Sequence, residues 1–226
     1  EPAATATQVV PEDSRAVRVH GRFAYTRKKA CIDTDMDYAV DSCAHDGSSC
    51  RFDADCQQDL DGADSMLVQL KADIFLGSDF LVAESSTDSA GYFDFTGYVD
   101  GTPDLYVQFE TKNGVVEVES AVWEINYKWR TPNYDDFDGT EIAIGSVGPA
   151  SNHGAVHIHN SITRAARWYH DQEYFWTPRV GVLWPTAIQG WYNWLTEEIW
   201  LSGETTWKMQ THVHEWAHHW MEKFSW

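Results

Sequence analysis

The sequence has 226 residues, of which 43% are hydrophobic, and its formal net charge at pH 7 is -19. This apolar content is sufficient for a folded core, and the length suits one large domain or two small ones. The acidic excess repels nucleic acid phosphates and anionic membrane surfaces, and no apolar run approaches the length of a membrane span. We therefore expect neither nucleic acid nor a membrane as a partner.

The chain starts with small and polar residues. Residues 1–16 are predicted to form a flexible lead of the kind that begins a mature chain after processing. Residues 16–25 alternate apolar and polar side chains, which indicates a half-buried strand.

All of the cysteines fall in one acidic segment, residues 31–64. An even number of cysteines confined to a short segment favours disulfides, with three possible pairings, and therefore an oxidising compartment. Zinc binding by these cysteines is the alternative, but no C-x-x-C pair is present. We expect a secreted, extracellular protein with two disulfides among Cys31, Cys43, Cys50 and Cys56.

The same segment carries ten Asp against one basic residue, Arg51. Such a charge run is usually a solvated loop. Its spacing around Gly62 also presents hard oxygen ligands at a turn, which favours a calcium site, although the frame is not that of an EF-hand. The candidate calcium ligands are Asp53, Asp55, Asp59, Asp61 and Asp64.

Residues 66–118 contain several short alternating segments separated by turn signals such as Asn113-Gly114. This spacing is typical of an antiparallel β-sandwich. Residues 87–95, Thr-Asp-Ser-Ala-Gly-Tyr-Phe-Asp-Phe, are similar to the T-D-x-x-G-x-F-x-F signature of transthyretin-like sandwiches, which accompany many secreted peptidases. The resemblance implies such a domain over residues 17–130, with residues 31–64 as an insertion. The alternative is an ordinary hairpin turn with buried aromatic residues.

The composition changes in the second half, because all twelve tryptophans lie at or after Trp123. We place a domain boundary near residues 130–150, where Pro, Gly and Asp are frequent. Apolar residues at helical spacing predict a helix over residues 155–171, and residues 180–184 and 198–203 are predicted strands. His153, His157 and His159 suggest a second metal site, but histidines at a helix start or on a surface are the favoured interpretation.

The motif H-E-x-x-H occurs near the end of the chain as His214, Glu215 and His218. Composition alone predicts about 0.03 such motifs in a chain of this length. An apolar stripe predicts that the motif lies on a helix over residues 205–224, with Thr205 or Thr206 as its cap. Residues four apart share one face of a helix, so both imidazoles can reach one ion.

At these residues the chain resembles the zincin metallopeptidases, in particular the gluzincins. The resemblance implies that His214 and His218 bind zinc and that Glu215 activates a zinc-bound water for hydrolysis of a peptide bond. Metzincins are disfavoured, because Met221 and Phe224 stand where that group has Gly and His. The implied fold class is α+β: an antiparallel β-sandwich, then the upper subdomain of a zincin, helix plus mixed sheet, over residues 131–226.

Two further expectations follow from the resemblance. The third zinc ligand is expected downstream of Trp226, so that the subdomain is C-terminally incomplete and a further segment or a partner subunit covers the helix at 205–224. A peptide or protein substrate is expected to pair along an edge strand at Ile199, Trp200, Leu201 and Ser202. The alternative function is a secreted binding or structural protein in which the histidines hold a structural or vestigial metal. With two ligands zinc would bind weakly unless His212, His219 or a partner completed the site.

Overall fold

The computed structural model describes residues 14–28, 31–32, 42–43, 58–73, 79–173 and 175–224. Fourteen strands and two α-helices are present in these residues. In chain order they are β1 (Arg15–Lys28), β2 (Cys31–Ile32), β3 (Ser42–Cys43), β4 (Gln58–Gly62), β5 (Leu67–Ala72), β6 (Phe80–Ser86), β7 (Tyr92–Val99), β8 (Leu105–Glu110), β9 (Val116–Ser120), β10 (Lys128–Arg130), β11 (Glu141–Val147), α1 (His153–Glu173), β12 (Val180–Thr186), β13 (Trp191–Asn193), β14 (Glu198–Ser202) and α2 (Met209–Phe224). The predicted α+β class is confirmed.

Two four-stranded sheets pack face to face and form a β-sandwich. In one sheet the long strand β1 pairs with β4, β7 and β11, and in the other the order is β10-β8-β5-β6. Buried residues of both sheets share one core, in which the Phe23 and Phe109 rings stack with centroids 4.3 Å apart. The pairing is antiparallel, as predicted, except that β1 and β11 run parallel.

The segment with the transthyretin-like signature forms the connection between β6 and β7. The Asp88 carboxylate accepts hydrogen bonds from the backbone N–H groups of Ala90 and Tyr92, each at 2.9 Å. Gly91 has a φ of +86°, and a Cβ at this position would lie 2.3 Å from the Phe23 carbonyl oxygen, so only glycine fits. The signature residues therefore build a tight turn that brings β7 against β1.

The second layer is a smaller sheet of order β13-β14-β12-β9, in which β9, β12 and β14 run parallel and β13 is antiparallel to β14. Helices α1 and α2 bury one face of this sheet. The shared core includes Ile158 and Ile162 of α1, Trp216 of α2 and the inward residues of the strands. The helix predicted from periodicity over residues 155–171 is part of α1.

The strand pairing crosses the region of residues 130–150, where the sequence predicts a domain boundary. Strand β9, which was assigned to the sandwich, belongs to the sheet of the second layer, whereas β10 and β11 complete the two sandwich sheets. Alternation along the chain predicts that a segment is a strand, but the partner of a strand depends on contacts between distant residues. The two layers are therefore interleaved in sequence.

Helix α1 joins the two layers. All of its residues from Gly154 to Thr163 are buried, because the sandwich covers one side and the second sheet the other. The Asn160 side chain donates to the Gly62 carbonyl at 2.8 Å and accepts from the Asp64 backbone N–H at 2.8 Å. Among the described residues, neither helix is both long enough and apolar enough to cross a membrane.

Candidate metal centre

Helix α2 carries the H-E-x-x-H residues. It begins at Met209, not at residue 205, because Gly203–Thr205 form a short 3-10 helix before it. Neither predicted cap serves α2: the hydroxyls of Thr205 and Thr206 donate to the Ser202 and Gly203 carbonyls, at 3.0 and 2.7 Å. The first turn of α2 instead follows from backbone bonds to the Lys208 carbonyl.

The imidazoles of His214 and His218 lie on one exposed face of α2. Their Nε2 atoms are 3.1 Å apart, and the two ring planes are nearly perpendicular, at 89°. Two nitrogen ligands at about 2.0–2.1 Å from one tetrahedral zinc are about 3.3 Å apart. The pair therefore has the spacing that two ligands of one zinc ion need, within a few tenths of an ångström.

Glu215 points to a different side of α2 from the histidine pair and is 8% exposed. The backbone next to it is that of Gly190, which directly precedes β13. A Cβ built on Gly190 would lie 2.8 Å from Thr211 Cγ2 and 3.4 Å from Glu215 Oε1. The start of β13 therefore lies directly against the carboxylate of the motif.

Two other histidines of α2 brace the helix against its surroundings. His212 donates from Nε2 to the Thr205 carbonyl at 2.9 Å, and His219 donates from Nε2 to the Pro178 carbonyl at 3.1 Å. Both rings are buried, and burial lowers the pKa of His212 to about 4 and also lowers the pKa of His219. Neither histidine lies on the face of His214 and His218, so the alternative in which one of them completes the metal site has no geometric support.

The predicted substrate strand is not an edge strand. Ile199, Trp200, Leu201 and Ser202 belong to β14, which lies between β13 and β12 and has partners on both sides. Ile199 and Leu201 are fully buried against the helices. In the described sheet the strand at the edge next to α2 is β13, which the sequence analysis did not find. Its signal is the aromatic pair Trp191-Tyr192 directly after Gly190, because aromatic residues favour strands.

The histidine cluster of α1 differs from the favoured interpretation. His153 does begin α1, where its Nδ1 accepts the Thr26 N–H at 3.0 Å. His157 and His159 were expected on the surface but are buried, 3% and 0% exposed. The Tyr25 hydroxyl lies 3.2 Å from His157 Nδ1, and burial lowers the pKa of His157. These side chains pack at the junction of the two layers.

Two of the candidate calcium ligands bind arginines of α1. Asp61 accepts two hydrogen bonds from Arg164, both at 3.1 Å, and the fully buried Asp64 accepts two from Arg167, at 2.6 and 2.8 Å. The guanidinium groups thus occupy both carboxylates, and the pairs tie the sandwich to α1. The side chain of Asp59 and all of Asp53 and Asp55 lie outside the described residues.

The described part of the acidic segment includes two of the four cysteines as backbone only. Cys31 and Cys43 face each other in register across the β2–β3 pair. Cys50 and Cys56 lie outside the described residues, so the disulfide prediction stays a prediction.

In the described part of the chain, the histidine pair has no third metal ligand beside it. Among the described residues, no three His, Cys, Asp or Glu side chains come together in a group that could hold a metal ion. The site in the described part of the chain therefore consists of two convergent imidazoles, and the Glu215 carboxylate lies on the neighbouring, buried side of α2.

Comparisons with known proteins add little to this geometry. No family model and no curated protein matches the chain. A solved structure with some similarity is the 9R-lipoxygenase from Cyanothece PCC8801, with 11% sequence identity and a TM-score of 0.33. The match covers 71% of this chain but 23% of the lipoxygenase, so the chain spans less than a quarter of that protein's length. A likeness this weak informs neither the fold nor the function.

Proposed function

We propose that this chain carries the metal site of a secreted zinc-dependent peptidase of the zincin type. His214 and His218 are two of the zinc ligands, and Glu215 is the general base. The observation that carries the proposal is the convergence of the two Nε2 atoms, 3.1 Å apart, on an exposed helix face. An exposed face suits a catalytic metal, because substrate has to reach it.

The two imidazole nitrogens are suitable ligands for zinc, but they are fewer than a catalytic zinc requires. Imidazole nitrogens are ordinary zinc ligands, but a catalytic zinc takes three protein ligands and keeps one open position. Since the described residues offer no group of three, we propose that the third ligand comes from outside them or from a partner surface. When bound, the zinc would supply a Lewis acid and a water with a pKa near about 7.

The residues of the chain have two separate roles, metal binding and proton transfer. His214 and His218 hold the ion, and Glu215 accepts a proton from the activated water and returns it to the leaving amine. The neighbouring Gly190 backbone lies against the Glu215 carboxylate. A substrate backbone held beside this strand would therefore be close to the base.

The order of elements supports the proposal. A helix, α1, is followed by strands of a mixed sheet and then by the motif helix, which is the order that the zincin resemblance implies. The substrate is proposed to extend along β13, whose outer edge is free in the described sheet, and not along β14. Secretion is proposed from the four clustered cysteines, and peptide mapping under non-reducing conditions tests it, because free thiols would contradict it.

One observation favours the alternative of a binding protein without catalysis. The 3.1 Å separation also permits a direct hydrogen bond between His214 and His218 when one Nε2 carries a proton. In that case the pair is satisfied without a metal, and Glu215 has no catalytic task.

The experiment combines metal content with peptide cleavage by the 226-residue chain. We expect zinc to bind when the third ligand is present, and this binding to be lost in a His214→Ala/His218→Ala double variant. We expect cleavage of a casein substrate to fall by about 10²–10⁴-fold in Glu215→Gln, which keeps the shape of the side chain but removes the base. If the third ligand belongs to a partner surface, the same assay is run on the protein purified with its native partner.

Glu204→Gln is the matched control, because Glu204 is an exposed glutamate that contacts Gln189 and not the histidine pair. It should keep zinc content and cleavage at the level of the unmodified protein. Zinc content that is the same in the double variant, or cleavage that Glu215→Gln leaves unchanged, contradicts the proposal and favours the binding protein.

A further inference from the structure

A second site lies away from the motif helix, in a cleft between the sandwich and α1. The cleft has a volume of about 780 Å³, within the range of ligand pockets. Its walls come from the sandwich strand β6, the turn after β8 and the outer part of α1. The lining includes Ser85, Ser86, Lys112, Thr163, Arg167 and Trp176. None of the motif residues contributes to it.

The two cations that line the cleft are already paired, and its one lining carboxylate, Glu84, accepts a hydrogen bond from Gln69 at 3.1 Å. Arg167 binds the buried Asp64 with two hydrogen bonds, and Lys112 Nζ lies 3.2 Å from the Glu117 carboxylate. An anion such as a phosphate would have to compete with these carboxylates for its cations. The paired charges therefore favour a neutral ligand.

Trp176 gives the cleft an aromatic surface. Its indole is 45% exposed, and the imidazole of His170 stacks on it with ring centroids 4.0 Å apart and an angle of 18° between the planes. Because His170 already restrains the indole, a ligand that packs on it loses little additional side-chain freedom. An aromatic face attracts polarised C–H groups, which the sugar ring of a saccharide presents.

The opposite wall offers hydrogen bonds suited to hydroxyl groups. Strand β6 is the last strand of its sheet in the part of the chain that the structure describes, so one row of its backbone groups faces outward. Ser85 and Ser86 add hydroxyls that both donate and accept. A peptide that extends a sheet needs pockets for alternate side chains, and the small side chains of Ser85 and Ser86 do not form them.

We propose that this cleft binds a neutral oligosaccharide, with a sugar ring packed on Trp176 and sugar hydroxyls bonded to the end of β6. The site combines one restrained aromatic surface with small polar donors and acceptors, and its cations are neutralised by their own partners. It would hold the protein on a glycan independently of the metal face.

Titration calorimetry and tryptophan fluorescence on the 226-residue chain test the proposal. The probes are chitotriose, cellotriose and maltotriose, with trigalacturonate as a charged probe and trialanine as a peptide probe. We expect at least one neutral trisaccharide to bind, with affinity reduced at least about 10-fold in Trp176→Ala. Trp176→Phe should keep part of the affinity, which separates loss of the aromatic surface from loss of the fold.

Trp168→Ala is the matched control, since Trp168 is a more exposed tryptophan, 67%, that does not line the cleft. This variant should bind the trisaccharide with the same affinity as the unmodified chain. EDTA should not change the trisaccharide affinity of either protein. The proposal is overturned if no neutral trisaccharide binds, if trialanine or trigalacturonate binds more tightly, or if the two tryptophan variants behave alike. It is also overturned if EDTA abolishes binding, because the saccharide would then occupy the metal face.

Discussion

Helices α1 and α2 both carry several histidines, but the two helices use them differently. On α1, His157 and His159 are buried at the junction with the sandwich, where burial lowers the pKa of both rings. On α2, His214 and His218 are exposed, and their Nε2 atoms converge. The difference follows from what covers each helix: α1 lies between two layers, whereas α2 is covered on one side.

This comparison distinguishes polar residues that are engaged in the fold from polar residues that are free to bind a metal. Several polar residues of α1 are engaged by the sandwich, as in the pairs of Arg164 with Asp61 and Arg167 with Asp64. The histidine pair of α2 contacts its own members and solvent. Substitutions on α1 should therefore change stability, and substitutions of the exposed pair on α2 should change binding of metal.

The largest effect is expected from Arg167→Met. Asp64 is fully buried, and Arg167 supplies two of its hydrogen bonds, so removal of the guanidinium leaves a buried carboxylate poorly compensated. We expect the free energy of unfolding to fall by about 3 kcal/mol or more. Denaturant unfolding followed by tryptophan fluorescence measures it.

Arg18→Met is the matched control, because Arg18 makes a similar two-bond pair with Asp94 in an exposed position. It should change the stability much less, since water and salt screen exposed pairs. Equal losses in the two variants would mean that the junction of α1 with the sandwich is not a buried polar contact.

The second prediction concerns the pH dependence of stability. Burial lowers the pKa of His159 to about 4, against the partial opposing effect of Asp64, and an unfolded histidine has a pKa of 6.5. Between these values the unfolded chain binds more protons than the folded chain. Stability should therefore fall as the pH decreases from about 6.5 to 4, by up to about 1.4 kcal/mol per pH unit for this residue.

His159→Met removes the titrating imidazole and replaces it with an apolar side chain of similar size. Both ring nitrogens of His159 lack a hydrogen-bond partner among the described residues, so the substitution loses no such bond. The variant should show a weaker pH dependence than the unmodified chain below pH 6.5 and the same dependence above pH 7. An unchanged slope at pH 5 would show that His159 is not buried as described.

The sequence predicted some of this organisation and missed the rest for physical reasons. Alternation and helical spacing identified most strands and both helices, because these patterns reflect local geometry. They did not identify the partners of β9 and β11, or the inner position of β14, because strand pairing depends on residues far apart in the chain. His157 and His159 were expected at the surface, since nothing local shows that a helix is covered on both sides.

The H-E-x-x-H spacing, by contrast, was sufficient to predict the convergence of His214 and His218. Residues four apart on a helix share a face whatever the tertiary contacts. A third ligand is absent from the described residues, and its position depends on contacts between distant residues that no local pattern contains. Gly190 was missed for the same reason, because its contact with Glu215 joins two distant elements.

The third prediction tests the contact between β13 and α2. In Gly190→Ala the new methyl group would lie 2.8 Å from Thr211 Cγ2 and 3.4 Å from Glu215 Oε1, so strand and helix have to separate slightly. We expect a loss of about 1–2 kcal/mol in unfolding free energy, and a decrease in Glu215-dependent cleavage. Gly203→Ala is the control, because a Cβ there meets nothing within 4 Å. Equal behaviour of the two variants would contradict the close approach.

The smallest effect on stability is expected where the effect on metal binding is largest. In the presence of EDTA, His214→Ala and His218→Ala should each change the unfolding free energy by no more than about 0.5 kcal/mol, because both rings are exposed. His212→Ala should cost about 2 kcal/mol or more, since it removes a buried ring together with its hydrogen bond to the Thr205 carbonyl.

The variants with the smallest effect on stability in EDTA should have the largest effect on stabilisation by zinc. Added zinc should raise the melting temperature of the unmodified chain and of His212→Ala, because a ligand that binds the folded state stabilises it. It should not do so for His214→Ala or His218→Ala, which each keep a single imidazole on the exposed face. Melting curves with and without zinc measure both effects in one experiment. A zinc-induced shift that survives in His214→Ala and disappears in His212→Ala would assign the metal to the buried face of α2, and the comparison between structural and available histidines would fail.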